Sequence, residues 1–338
     1  MRATLTLLAS LLTAVPLAAQ HTPINDLGNG KYLGQFEGGL YEHGANVPPA
    51  DHEAVGLAQA ALVRPLDRNG NPSPGGKIVM VSVGMSNTTQ EFCAAGNPSP
   101  CTSWSFVGQA SADPAVNHST LVLINGARGG QAADSWESPA QPDWDGVKTN
   151  LTAAGLTEAQ VQVAWIKQAN IGPKTSLPSS GADAYRLVGQ LANIARALKV
   201  RYPNIRLAYF SSRIYAGYAT TTLNPEPYAY ESAFAVKWLI DAQVAQERSG
   251  AVDTRAGDLG SSAAPWLAWS AYLWADGLNP RSDGLTWARN ELESDGTHPA
   301  QAAEQKVGSM LLAFFKDDPT AKSWFVAAPT QRRRAAHH

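Results

Sequence analysis

Two cysteines in 338 residues leave no room for a disulfide framework, and with no histidine beside them they make no metal site. Charge is sparse too. Only 16% of residues are Asp, Glu, Lys or Arg, and 26 cations against 28 anions give a formal net charge of -2. Such a balance argues against a nucleic-acid partner or an anionic-membrane footprint. The run Arg332-Arg333-Arg334 reads as a solvated tail over 326–338. Beyond the N-terminus no apolar run is long enough to span a bilayer, and neither internal repeats nor low-complexity linkers interrupt the chain.

The first 20 residues read as a cleaved leader. Arg2 supplies the positive end, Leu5 to Leu17 an apolar stretch, and Leu17-Ala18-Ala19 small residues for a peptidase, with Gln20 or His21 starting the mature chain. The competing reading, a membrane anchor, asks for about 20 apolar residues, and this stretch is shorter. Export, to the periplasm or beyond the cell, makes Cys93 and Cys101 candidates for one local disulfide in a Gly/Pro/Asn-rich stretch; free thiols are the alternative.

Glycine and proline, 29 and 22 of them, point to long structured loops around one domain over 77–325. Short apolar runs recur with helix-length spacers: Ile78 to Val83, Thr120 to Ile124, Val161 to Ile166 and Ile205 to Phe210. This pattern predicts a parallel sheet covered on both faces. Helices are predicted over Ala182 to Val200, where Leu187, Leu191, Ile194 and Leu198 recur at helical spacing, over Tyr230 to Glu247, and over Ala300 to Phe315. Residues 21–76 are weakly periodic and predict an extension that wraps the domain or adds a small β element.

The chemistry collects where these strands end, the place where loops of an open α/β sheet converge. After the first strand comes Gly84-Met85-Ser86-Asn87, after the second Asn125-Gly126-Ala127-Arg128-Gly129-Gly130-Gln131 with Trp136 beyond, and after the third Lys167-Gln168-Ala169-Asn170. Near the C-terminus, Ser294-Asp295-Gly296-Thr297-His298-Pro299 sets a carboxylate three residues before an imidazole. There the carboxylate can accept the Nδ1 proton, leaving Nε2 free as a base for Ser86. Each piece has a plainer reading. Ser86 is also a natural helix N-cap, Asp295 a cap of the last helix with His298 at the surface, Gly129-Gly130 a turn, and Asn170 a turn residue before Gly172-Pro173. His43, His52 and His118 lack a carboxylate at the favourable spacing.

Taken in order, Gly84-x-Ser86-Asn87, Gly129-Gly130 with Trp136, Asn170 and Asp295-x-x-His298 resemble the blocks of the SGNH hydrolase superfamily, also called GDSL-like. Their form is most similar to its carbohydrate acetylesterase branches, including sialate O-acetylesterase-like proteins. The resemblance implies a three-layer α/β/α, flavodoxin-like fold with a parallel central sheet. It implies Ser86 as nucleophile, His298 as base, Asp295 as its orienting carboxylate, and Gly130 and Asn170 as oxyanion donors beside the Ser86 amide. The chain departs from the family where Met85 replaces the Asp or Gln before the serine, and where Asn170 lacks its usual Gly and Asp neighbours.

Candidate substrate contacts are Asn87, Arg128, Gln131, Trp136 and Trp287. Among ten tryptophans, Trp266, Trp269, Trp274 and Trp287 crowd before the Asp-x-x-His turn, either as packing of a long loop or as platforms for sugar rings. Arg128 suits an acidic sugar or a carboxylate partner, and the Asn87-Thr88-Thr89 sequon is discounted because it abuts the nucleophile. The expectation is a secreted serine esterase that needs no cofactor or metal and removes short acyl groups, foremost acetyl, from carbohydrates or other small esters. The alternatives are an esterase for longer acyl or aryl esters, and an inactive carbohydrate-binding protein on the same scaffold.

Overall fold

A computed structural model describes residues 22–94 and 100–328. The expected leader, the terminal arginine run and the interior of the cysteine loop, 95–99, lie outside the described residues.

Helix α1 (Ile24–Leu27), a two-residue hairpin of β1 (Lys31–Tyr32) and β2 (Phe36–Glu37), and helix α2 (Ala50–Ala60) precede the sheet. The sheet and its helices follow as β3 (Ile78–Gly84), α3 (Ser86–Phe92), α4 (Phe106–Ala112), β4 (Leu121–Ile124), α5 (Pro142–Ala153), β5 (Val161–Lys167), α6 (Asp183–Arg201), β6 (Leu207–Ser211), α7 (Tyr228–Ser249), β7 (Trp266–Trp269), α8 (Gln301–Asp317) and α9 (Pro319–Phe325). The five long-range strands pair in the order β4-β3-β5-β6-β7, every pair parallel. Numbered among themselves that is 2-1-3-4-5, the flavodoxin-like order, with its switch point between β3 and β5.

Side chains alternate across the strands and sort into two cores. Val79, Val81, Val83, Ala164, Ile166 and Phe210 face α5, α6 and α7, meeting Leu151, Leu191 and Phe234. Met80, Trp165, Leu207 and Tyr209 face the other way, toward Phe106, Leu311 and Phe325 of α4, α8 and α9. Each fully buried side chain of this size contributes about 1.5–3 kcal/mol. The expected three-layer α/β/α sandwich is therefore the observed one. The register shift between Val79 and Met80 in the β3–β5 pairing leaves Gln162 as the extra residue, and its amide bonds both backbone groups of Arg64.

Three of the four predicted strands match to within one residue at each end; Ile205 and Arg206 lie ahead of β6. A fifth strand, β7, replaces the expected loop at Trp266–Trp269. Its edge is covered from the N-terminal segment, where Trp269 Nε1 donates to the Leu40 carbonyl (2.6 Å) and Trp266 Nε1 to that of His52 (3.0 Å). The N-terminal region adds the small hairpin and also α2, which packs on β7 and α9. Cys93 and Cys101 form a disulfide, and Cys93 is buried beside α4. Among the described residues no helix is long and apolar enough to cross a membrane.

Candidate active site

β3 delivers Ser86 to the carboxyl edge of the sheet as the first residue of α3; Met85, in extended conformation, occupies the cap position. The Ser86 hydroxyl is thus not a cap. It donates to His298 Nε2 at 2.8 Å across a sequence separation of 212. His298 Nδ1 in turn donates to Asp295 Oδ2 at 2.6 Å. The acceptor-only carboxylate requires the proton on Nδ1, so Nε2 is the bare nitrogen facing the hydroxyl.

Asp295 does not cap α8, whose cap is Ala300. Its second oxygen, Oδ1, accepts the backbone N–H groups of Thr297 (2.9 Å) and His298 (3.0 Å). Burial raises its pKa, but the His298 N–H, the imidazole and the Thr297 N–H outweigh that and hold the carboxyl below its ordinary range. Gly296 makes the turn possible: its φ is +63°, and a Cβ there would lie 1.9 Å from the Tyr218 carbonyl oxygen. The turn is fixed from outside as well, because the Asp295 carbonyl accepts the Thr220 N–H at 2.9 Å. The Thr297 carbonyl accepts Asn87 Nδ2 at 3.0 Å and, more weakly, Arg213 Nη2 at 3.4 Å.

Beneath α3 lies an ion pair with both side chains fully buried, Glu91 with Lys167 at the end of β5. Burial pulls the ammonium down to about 8 and pushes the carboxyl up, against the attraction between them. Arg213, also buried, lies within electrostatic reach of Glu91, Glu226 and Asp295. Removing either member of such a pair typically costs about 3–5 kcal/mol, since the remaining charge is stranded.

Ser86 and His298 open onto a cavity of about 250 Å³ whose walls include Gly130, Asn170, Arg213 and Asn224 with apolar Met85, Ala132, Ile171 and Leu223. Gly130 has φ +79° and open space where a Cβ would stand, so its backbone conformation is what calls for glycine there. Asn170 is buried, its side-chain amide donates to Gln190 Oε1, and its carbonyl accepts Asn224 Nδ2 at 3.1 Å.

The structure brings together Ser86, Gly130, Asn170, Asp295 and His298, and corrects the expected substrate contacts. Asn87 lines the cavity, but its amide is committed to the Thr297 carbonyl and it is 1% exposed, which also closes the sequon. Trp136 and Trp287 are not sugar platforms. Trp136 is fully buried edge-on to Trp144, and Trp287 is buried with its Nε1 donating to the Leu273 carbonyl and Lys306 over its ring. Arg128 points to solvent and pairs with Asp143 at 3.2 Å, while the Gln131 carbonyl serves Trp136 Nε1. Neither residue borders the cavity. His52 is buried between Glu247 and the Leu267 carbonyl, away from the site. Arg213, Asn224, Gln190 and the Glu91–Lys167 pair escaped the sequence reading. Only Lys167, a cation ending an apolar strand, carried a visible signal. Among the described residues no group of three His, Cys, Asp or Glu side chains gathers to hold a metal.

No family model and no curated protein matches the chain. Solved structures similar to it include a family 3 carbohydrate esterase from Talaromyces cellulolyticus (10% identity, TM-score 0.36, covering 70% of this chain and 95% of that one). A family two carbohydrate esterase from Cellvibrio japonicus is similar at 12% identity and TM-score 0.36, covering 75% of this chain and 64% of its own. An extracellular lipase from Streptomyces rimosus is similar at 11% identity and TM-score 0.33, covering 70% and 97%. These likenesses are distant, so the chemistry rests on the site's own geometry.

Proposed function

We propose that the protein is an exported SGNH-type serine esterase that removes short acyl groups, foremost acetyl, from carbohydrates. The observation that carries this reading is the continuous line from Asp295 through His298 to Ser86, with contacts of 2.6 and 2.8 Å. In the reaction, Ser86 Oγ attacks the ester carbonyl as its proton passes to His298 Nε2. The tetrahedral oxyanion is met by backbone N–H groups at Ser86 and Gly130 and by the Asn170 amide, each such donor lowering the barrier by about 2.7–4 kcal/mol. The imidazolium protonates the departing alcohol oxygen, leaving an acyl-Ser86 ester. Water then gives a proton to Nε2 as its oxygen adds to the acyl carbon, and collapse returns that proton to Ser86 and frees the carboxylic acid.

A small cavity with an apolar wall favours a short acyl group over a long chain. Export is supported by the Cys93–Cys101 disulfide together with the leader-like N-terminus. The test is Ser86→Ala assayed on p-nitrophenyl acetate and on a panel of acetylated glycans with released acetate as readout. Turnover should fall at least about 10⁴-fold. Retention of near wild-type rates, or a preference for acyl chains of eight carbons or more, refutes the respective half of the proposal.

A further inference from the structure

The Asn170 side chain bears an ambiguity common to every amide, because its oxygen and nitrogen ends have the same shape and opposite chemistry. Which end faces the cavity decides whether the site stabilises or repels a developing oxyanion. Helix α6 carries Gln190, Asn193 and Arg196 at three-residue intervals, hence along one face. Arg196 Nη2 donates to Asn193 Oδ1, and Asn193 Nδ2 donates to Glu137 Oε2 at 2.7 Å. Gln190 Nε2 donates to Glu137 Oε1 at 3.1 Å, and Gln190 Oε1 accepts from Asn170 Nδ2.

Polarity along this line is fixed by its charged members. A guanidinium only donates and a carboxylate only accepts. Glu137 therefore draws the NH₂ end of Gln190 toward itself, which turns the Gln190 oxygen toward Asn170, which demands the NH₂ end of Asn170 in reply. One Asn170 N–H goes to Gln190, and the second is left for the cavity that Asn170 lines. Were Gln190 reversed, Asn170 would have to offer its oxygen, and its NH₂ group would leave its place.

We infer that Glu137 is a positioning residue for the oxyanion hole, acting through Gln190 on Asn170. The inference rests on the esterase reading above. Glu137 touches neither cavity nor nucleophile; its carboxylate sets the direction of two amides in series.

The experiment is a set of variants assayed on p-nitrophenyl acetate at pH 8, each checked for an unchanged thermal transition. Asn170→Ala should lower kcat about 100-fold. Glu137→Gln, which can donate as well as accept, should lower kcat about tenfold with KM within about twofold. In the Asn170→Ala background Glu137→Gln should have no further effect, since its target is gone. The paired change Glu137→Gln with Gln190→Glu moves the carboxylate one step along the line: the bond between 137 and 190 reverses, but position 190 still accepts from Asn170 and position 137 still accepts from Asn193. It should recover kcat to within about threefold of the parent. A purely structural role for Glu137 predicts the reverse, because the swap sets a charge at a position only 6% exposed. Equal losses from Glu137→Gln with and without Asn170, or a paired variant worse than Glu137→Gln alone, overturns the inference while Ser86-dependent turnover stands. Absence of Ser86-dependent turnover in the parent protein takes both readings down together.

Discussion

Replacing Asp295 with Asn exchanges one carboxylate oxygen for an NH₂ group, removes its charge and moves the ring proton of His298, with an effect of predictable size. Asp295 Oδ1 faces two backbone N–H groups, those of Thr297 and His298, at 2.9 and 3.0 Å. An asparagine must keep its oxygen on those two donors, so its NH₂ turns to His298 Nδ1. An N–H facing Nδ1 requires that nitrogen to be bare, which drives the ring proton to Nε2. Nε2 then presents an N–H to Ser86 and cannot take its proton. In a fully enclosed triad the wrong tautomer costs about 10⁴ in kcat. Here the Asp295 and His298 side chains are 28% and 24% exposed, and water can satisfy the other tautomer part of the time. The expected loss is therefore about 10³, or about 4 kcal/mol of barrier. The turn keeps its backbone bonds, so the thermal transition should move by no more than about 3 °C. Turnover of p-nitrophenyl acetate gives the rate, and nitrogen NMR of the histidine ring gives the tautomer. A rate within tenfold of the parent, or an unchanged Nδ1–H tautomer, refutes the assigned role of the carboxylate.

Gly296→Ala should damage the same turn by another route, since the new Cβ would lie 1.9 Å from the Tyr218 oxygen at a left-handed φ. The backbone preference alone costs about 1–2 kcal/mol, and scanning calorimetry should show a transition lowered by at least about 5 °C with activity down more than about 100-fold. Glu231, buried and accepting the Leu177 N–H and the Tyr32 hydroxyl, has its pKa raised by burial to about 7. The folded protein then binds a proton that the unfolded chain releases near pH 4.5, so this residue's contribution falls as pH rises from about 4.5 to about 7. Glu231→Gln should remove up to about 3 kcal/mol of that decline, read as a flatter transition temperature between pH 5 and 8; an unchanged slope would contradict the assignment.

Strands β3, β5 and β6 were readable because burial on both faces makes each a short, mostly apolar run, and the half-buried edge strand β4 reads the same way from its four apolar residues. β7 was hidden by its composition: four residues, two of them indoles, look the same whether packed in a loop or paired at an edge. Helix α2 was missed because its exposed Val55 and Leu57 blur the apolar stripe that periodicity depends on. Ser86, Gly130, Asn170, Asp295 and His298 stood out by falling at strand ends or on a spaced turn. Trp136 and Trp287 misled because an indole's size says nothing about whether its face is open. Gln190, Glu137, Asn224 and Arg213 were invisible. A polar residue on a helix or loop reads as solvated, and only the fold shows that it is buried against a partner.

Helix α3 joins these threads. At seven residues, with Asn and two Thr near its start, it is far too short and too poor a former to persist alone. Three of its polar residues instead face inward, toward two other elements. Asn87 reaches the carbonyl inside the Asp-x-x-His turn, Thr88 Oγ1 donates to the Lys167 carbonyl at 2.7 Å, and Glu91 meets the Lys167 ammonium. The helix that begins with Ser86 is thus anchored to β5 at two points and to the base turn at one, within five residues of the hydroxyl. Cutting any single tie takes a hydrogen-bond partner from a buried polar group, so the nucleophile's position and the local stability are coupled by construction. Thr88→Val, which deletes a bond and nothing near the cavity, should therefore lower kcat and the transition temperature together; a change in one without the other would show that the anchoring and the chemistry are separable.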